Sequence, residues 1–281
     1  MKLICLGTGS PEAHSRASSG YLVEAAGTRL LLDVGGGVVD RLIASGRMPA
    51  DVDALFLTHL HSDHMMDYAR LVHARWDEGG GDLSVTGPAP IAEITRRLFG
   101  PEGAFAFDLG ARTGLPGSQK VWEARGGTLP RPRPAPRVRE VAPGFSAEGA
   151  GWRLTSCEVP HAQPFLDCMG FRIEAEGKAI VYSGDAGPSG VLDALARGAD
   201  LLLHWCYRWS WEALPEAISA NSPGHLETAA MARRLGIPRL ALTHIRRHMD
   251  TPEAHARVRA EVAEIYDGEL ILAEDLMEIE I

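Results

Sequence analysis

Short apolar runs broken by turn residues recur from the first position. Residues 2–6, 20–26 and 29–34 have the apolar character of strands, and the TRLLLDV run at 28–34 stops at Gly35-Gly36-Gly37. Helical spacing of apolar positions follows through Ser45 and returns at 65–76. DALFL at 53–57 is a further strand, and LSVTGP at 83–88 is a strand and turn before a helix to about Leu98. From 152 the pattern predicts strands at 152–159, 168–175, 178–183, 200–204, 239–243, 269–273 and 276–281. Helices are expected near 188–197, 225–236 and 252–266. Strands cluster in both halves with helices between them, and no internal repeat is visible. That arrangement predicts an α/β fold of the αββα kind, two mixed β-sheets face to face and flanked by helices, in one domain over residues 1–281.

Between residues 100 and 145 the periodicity dissolves. The stretch is rich in Gly and Pro and contains TLPRPRPAPRVRE at 128–140. Proline removes backbone donors and favours extended chain, so the expectation here is a loop insertion, either a surface excursion or a lid.

Composition adds limits. Hydrophobic residues make up 45% and charged residues 23%, enough apolar side chain for a large core. The formal charge of −9 disfavours nucleic acid as a partner, since phosphates call for a basic face. A small-molecule substrate and a homodimeric assembly are expected instead. The four cysteines, Cys5, Cys157, Cys168 and Cys206, form no C-x-x-C pair, which suits a reducing compartment. The chain opens on strand-like KLICL, and no apolar run reaches the roughly 18 residues of a membrane span, so a cytoplasmic location is expected.

Candidate chemistry is concentrated in Thr58-His59-Leu60-His61-Ser62-Asp63-His64, directly after an apolar strand. Three imidazoles and a carboxylate there would each need a partner if buried, and a divalent metal supplies such partners at once. Later strand ends offer more ligands: His161 in EVPHAQ, Asp185 in IVYSGD and His244 in LALTH.

The order H-x-H-x-D-H, a lone His, S-G-D and T-H resembles the metallo-β-lactamase superfamily across nearly the whole chain. Leu6-Gly7-Thr8-Gly9-Ser10-Pro11, Arg16, Ser18-Ser19-Gly20, Asp33 before a glycine run, Gly87-Pro88 and Gly224-His225 are similar to its ribonuclease Z branch. The resemblance implies two zinc ions per chain. His59, His61 and His161 would hold one, Asp63, His64 and His244 the other, and Asp185 would bridge them. Asp33 would orient the metal loop. His225 matches the position of a catalytic histidine in that branch and could protonate a leaving group. A helix N-terminal histidine satisfied by a nearby carbonyl is the alternative.

Two ions roughly 3.5–4 Å apart lower the pKa of a shared water toward about 7 and stabilise charge on a substrate oxygen. Hydrolysis is thus expected, and the resemblance implies a small phosphodiester or related ester as substrate, with Asp63 either a ligand or a base. Attack at carbon in a lactone, carboxylic ester or activated halide is the alternative. A tRNA 3′-processing nuclease and an iron-dependent oxidoreductase rank lower. Departures from the branch motivate that ranking. Trp205 stands where the branch carries the Glu of H-E-A-T, which on this reading leaves His225 without its carboxylate, and Arg246 replaces a Ser. Trp205, Tyr207, Trp209 and Trp211 alternate, so their rings are expected on one side, as a pocket wall, a core plug or a dimer contact.

Overall fold

The computed structural model describes all 281 residues. The first half holds β1 (Lys2–Gly7), β2 (Gly20–Ala25), β3 (Thr28–Leu32), α1 (Val38–Ala44), β4 (Ala54–Phe56), α2 (Ser62–Met65), α3 (Tyr68–Asp77), β5 (Ser84–Gly87), α4 (Ile91–Phe99), α5 (Ala106–Gly114), α6 (Pro116–Ala124) and β6 (Arg137–Glu140). The second holds β7 (Ser146–Gly149), β8 (Trp152–Glu158), β9 (Met169–Ala175), β10 (Lys178–Tyr182), α7 (Gly190–Ala196), β11 (Leu201–Trp205), α8 (Glu216–Ser219), α9 (His225–Leu235), β12 (Arg239–Thr243), α10 (Pro252–Ala263), β13 (Glu269–Leu272) and β14 (Glu278–Glu280).

Two seven-stranded sheets form, in the orders β14-β1-β2-β3-β4-β5-β6 and β13-β12-β11-β10-β9-β8-β7. Both are mixed: β3 to β6 run parallel, as do β10 to β13, while the hairpin strands are antiparallel. The period of two along each strand explains the layers. Leu3, Cys5, Leu30 and Leu32 point between the sheets and meet Phe171, Ile180, Tyr182, Leu201 and Leu203 from the other side. Ile4, Leu6 and Leu31 point outward into a layer with α1, α3 and α4, and Leu202 does the same toward α7, α9 and α10. Burial on both faces is why these strands read as unbroken apolar runs. The expected αββα sandwich is therefore what forms.

The expected loop over 100–145 is corrected by the structure. Residues 106–124 fold as two helices, and 137–140 add β6 as an edge strand with Ser84 opposite Arg137. The helices escape a periodicity search because α5 buries only Leu109 and α6 buries nothing. Pro116 begins α6, where its missing N–H costs no hydrogen bond. The proline-rich return is pinned as well. Arg131 lies over the rings of Trp76 and Trp122, at 3.7 and 4.8 Å, and pairs with Asp77 at 2.8 Å.

Strands β3, β4, β8, β10, β11 and β12 all end at one edge of the sandwich. That edge collects Asp33, His59, His161, Asp185, Trp205 and His244.

Candidate metal centre

The chain leaves the sheets abruptly at this edge. Asp33 and His244 adopt left-handed backbone, with φ of 57° and 62°, a conformation that non-glycine residues seldom hold without support. Gly184 shares it at φ 56°, and a Cβ there would meet the Met169 carbonyl oxygen at 2.7 Å. Gly35 is required for proximity instead: a Cβ would fall 2.1 Å from the carbonyl oxygen of Asp63. These glycines let the loops carrying Asp185 and Asp63 approach the sheet.

The sequence-derived ligands gather in two groups. In the first, Nδ1 of His61 lies 3.0 Å from Nε2 of His59 and 3.1 Å from Nε2 of His161. One ring nitrogen offers either a single proton or a single lone pair, so hydrogen bonding cannot properly satisfy both contacts, whereas a cation accepts three lone pairs. The Thr58 hydroxyl donates to Asp33 and accepts from Nδ1 of His59, which frees Nε2 of His59 to face the group.

In the second group, Nε2 of His244 lies 3.2 Å from Asp63 and 3.3 Å from Asp185, and Nε2 of His64 lies 3.4 Å from Asp185 and 3.7 Å from Asp63. Ligands bound to one zinc at 2.0–2.1 Å are about 3.3 Å apart along a tetrahedron's edges, so these spacings fit. Nε2 of His64 is buried and has no hydrogen-bond partner, which is what a ligand atom aimed at an ion looks like. Asp185 also lies 3.8 Å from His161, so its carboxylate touches both groups.

Electrostatics support the same division. Burial and the charge of His64 hold His59 well below the ordinary histidine value, and burial lowers His161, so both offer lone pairs. Burial opposes ionisation of Asp63 and Asp185, but His244 and His64 outweigh it and both carboxyls sit below their ordinary values. Burial likewise opposes charge on His64, yet Asp185 and Asp33 lift it well above the usual value. Concentrated negative charge beside imidazole is an environment for a divalent cation, whose binding expels those protons.

Asp33 is fully buried and receives four hydrogen bonds: from the backbone N–H of Thr58, its hydroxyl, Nδ1 of His64 and the hydroxyl of Tyr182. It therefore fixes the tautomer of His64. Thr58 and Tyr182 were not picked out from sequence, although they immediately precede the two ligand motifs.

The aromatic run does not present one face. Trp205 packs on His161 at 5.2 Å, His244 at 6.1 Å and Tyr207 at 5.4 Å, bordering both groups. Trp209 instead turns into the core, where its indole N–H donates to the Met249 carbonyl, and it pairs with Trp211. The split arises because the segment leaves β11 as an irregular loop rather than continuing as a strand.

His225 is not brought to either group. Its ring is fully buried beside Trp209 and Trp211, with Nε2 hydrogen-bonded to Glu261 at 2.9 Å. The carboxylate expected to be missing is thus present, supplied by α10 instead of β11. No local motif could have revealed Glu261, 36 residues from its partner.

No helix is long and apolar enough to cross a membrane. Residues 28–245 match the family model of the β-lactamase superfamily domain. Ribonuclease Z from Mycobacterium sp. (strain KMS) is 32% identical over 290 residues, covering 100% of this chain and 96% of that protein. The metallo-β-lactamase fold protein YhfI from Bacillus subtilis superposes with a TM-score of 0.75 at 23% identity, over 100% of this chain and 99% of that one. The short form of human tRNase Z gives 0.68 at 20% identity, again over 100% and 99%. With that family match and a full-length relative, the chain belongs to the metallo-β-lactamase superfamily, in its ribonuclease Z branch, and is a metal-dependent hydrolase.

Proposed function

We propose that the protein is a dinuclear zinc hydrolase that cleaves a small phosphodiester or related ester. The carrying observation is the pair of donor groups joined by Asp185, which offers seven ligand residues where one zinc takes three or four. His59, His61 and His161 would hold one ion, and Asp63, His64 and His244 the other. When bound, such a pair activates water as a nucleophile and stabilises charge on a substrate oxygen. The chain's own contribution is position: Asp33 and Thr58 set the imidazole tautomers, and Trp205 with Tyr207 forms an apolar wall that excludes water. In this reading Asp63 serves as a metal ligand. His225, oriented by Glu261, is assigned the leaving-group proton on the resemblance alone, since its ring is buried beside Trp209 and Trp211 rather than at the donor groups. His225→Ala should then lower kcat most for alkoxide leaving groups while metal content stays intact, and an equal drop for p-nitrophenolate would remove it from the reaction.

A structured RNA substrate is the second reading, favoured by the full-length ribonuclease Z relatives. Against it stand the charge of −9 and the burial of Arg131, which withdraws one arginine of the 131–139 stretch from any phosphate contact. Zinc-loaded protein should turn over bis-p-nitrophenyl phosphate in preference to p-nitrophenyl acetate, a lactone and an activated aryl halide. Turnover confined to the carbon esters or the halide would overturn the phosphodiester assignment. Site-specific cleavage of a 3′-extended precursor tRNA would establish the second reading. The active form is taken to be a homodimer, which light scattering on the purified protein tests directly.

A further inference from the structure

A cleft of roughly 350 Å³ opens between α7 and α9, over the end of β11. None of the seven metal-site residues lines it. His204 does, and it is only 3% exposed. Its Nδ1 lies 2.8 Å from the carbonyl oxygen of Trp205. A carbonyl only accepts, so Nδ1 carries the ring proton and Nε2 is left as an acceptor. No protein hydrogen bond engages that nitrogen, and His204 is among the residues that line the cleft. Burial pushes the His204 pKa down to about 4, against the lifting effect of the Trp205 carbonyl, so the ring is a neutral acceptor at physiological pH.

The remaining lining defines what would pair with it. Leu192, Met231 and Pro223 give buried apolar walls. The charges are already matched: Asp193 forms a two-pronged pair with Arg234 at 2.7 and 3.0 Å, and Glu227 is held by Arg208 and the Gly224 N–H. Ser189 accepts from the N–H groups of Val191 and Leu192, which leaves its own hydroxyl proton to donate. An ion entering here would lose water and find no unpaired countercharge. A neutral molecule loses little and satisfies His204.

We infer that this cleft is a second ligand site, distinct from the metal centre, for an uncharged molecule carrying one hydroxyl or N–H donor on a compact apolar body. A phenol is the simplest member of that class. The donor meets Nε2 of His204, and the body packs on Leu192, Met231 and Pro223.

Phenol titrated into the isotope-labelled, zinc-loaded protein should shift the amide resonances of Gly187, Gly190, Leu192 and Thr228. Anisole keeps the ring and loses the donor, so it should bind about tenfold more weakly, the loss expected for one buried hydrogen bond. Benzoate should bind no better than anisole. His204→Leu should reduce phenol to the affinity of anisole, and if that variant fails to fold, the phenol–anisole comparison on the unaltered protein decides. Equal affinities for phenol and anisole, no response at millimolar phenol, or shifts centred on His161 and His244 would overturn the inference.

Discussion

Asp33 gathers four donors on one carboxylate at the metal-site edge of the sandwich, and three of them belong to the segment that carries His59 and His64. Asp33→Asn keeps the size but sets an NH₂ group against one of these donors and removes the negative charge that Nδ1 of His64 faces, so the orienting contact is weakened. Loss of such an orienting contact commonly weakens metal binding by about 10–100-fold, and we expect that for the second ion, read by competition with a chromophoric chelator. Unchanged affinity would mean that His64 is held by packing alone. Asp185→Ala acts on both groups at once, because that carboxylate lies within 3.4 Å of His64 and 3.8 Å of His161. Zinc content measured after gentle purification should fall from near two per chain, and activity should fall with it. A variant that still holds two ions would show that Asp185 does not bridge. The residues that gather in the two donor groups were legible in the sequence because each follows an apolar strand and is chemically unsuited to a core. Tyr182 was not, since a tyrosine ending a strand is ordinary until the partner of its hydroxyl is known.

The aromatic segment after β11 is held by α10 through the Glu261 carboxylate and the Arg257 guanidinium. Glu261 accepts from the Ser210 hydroxyl, from Arg257 and from Nε2 of His225, while Arg257 stacks on Trp211 at 3.9 Å. Ser210 first, then Arg257 and His225, hold the Glu261 pKa down at about 2, below an ordinary value of 4.5. A depressed acid stabilises the fold above its unfolded pKa and loses that contribution as the pH falls through the folded one. Glu261→Gln should therefore lower the urea midpoint at pH 7, with the gap from the parent narrowing between about pH 4.5 and 2. A gap independent of pH over the upper part of that window would mean that packing, not charge, sets the contribution of Glu261. This arrangement also shows where sequence reasoning stops. Alternation in WCYRWSW reads as a strand, but the chain has already left the sheet, and only tertiary contacts decide that Trp209 goes inward while Trp205 borders the metal groups.

The two sheets are nearly symmetric in construction, each with parallel strands toward one edge and antiparallel strands toward the other, and the first reaches seven strands only because 100–145 supplies β6. Alternating apolar runs made the central strands readable, whereas α5 and α6 pack so little side chain that their helices left no periodic trace. What holds this excursion to the body is Arg131, sandwiched by Trp76 of α3 and Trp122 of α6 and paired with Asp77, with the Pro132 carbonyl accepting from the Trp76 indole N–H. A guanidinium over an aromatic face contributes about 0.5–2 kcal/mol, more when water is excluded, and both rings lose theirs together in Arg131→Ala. Asp77 is partly exposed and can be rehydrated, so the ion pair adds little to that loss. We expect destabilisation of about 2 kcal/mol by urea denaturation, inside the usual range for loss of one buried polar anchor. Because the contacts join α6 to α3 locally, limited proteolysis of the variant should cut first between residues 124 and 137, leaving the second sheet intact. Cleavage elsewhere, or an unchanged midpoint, would show that β6 pairing with β5 holds the excursion without Arg131.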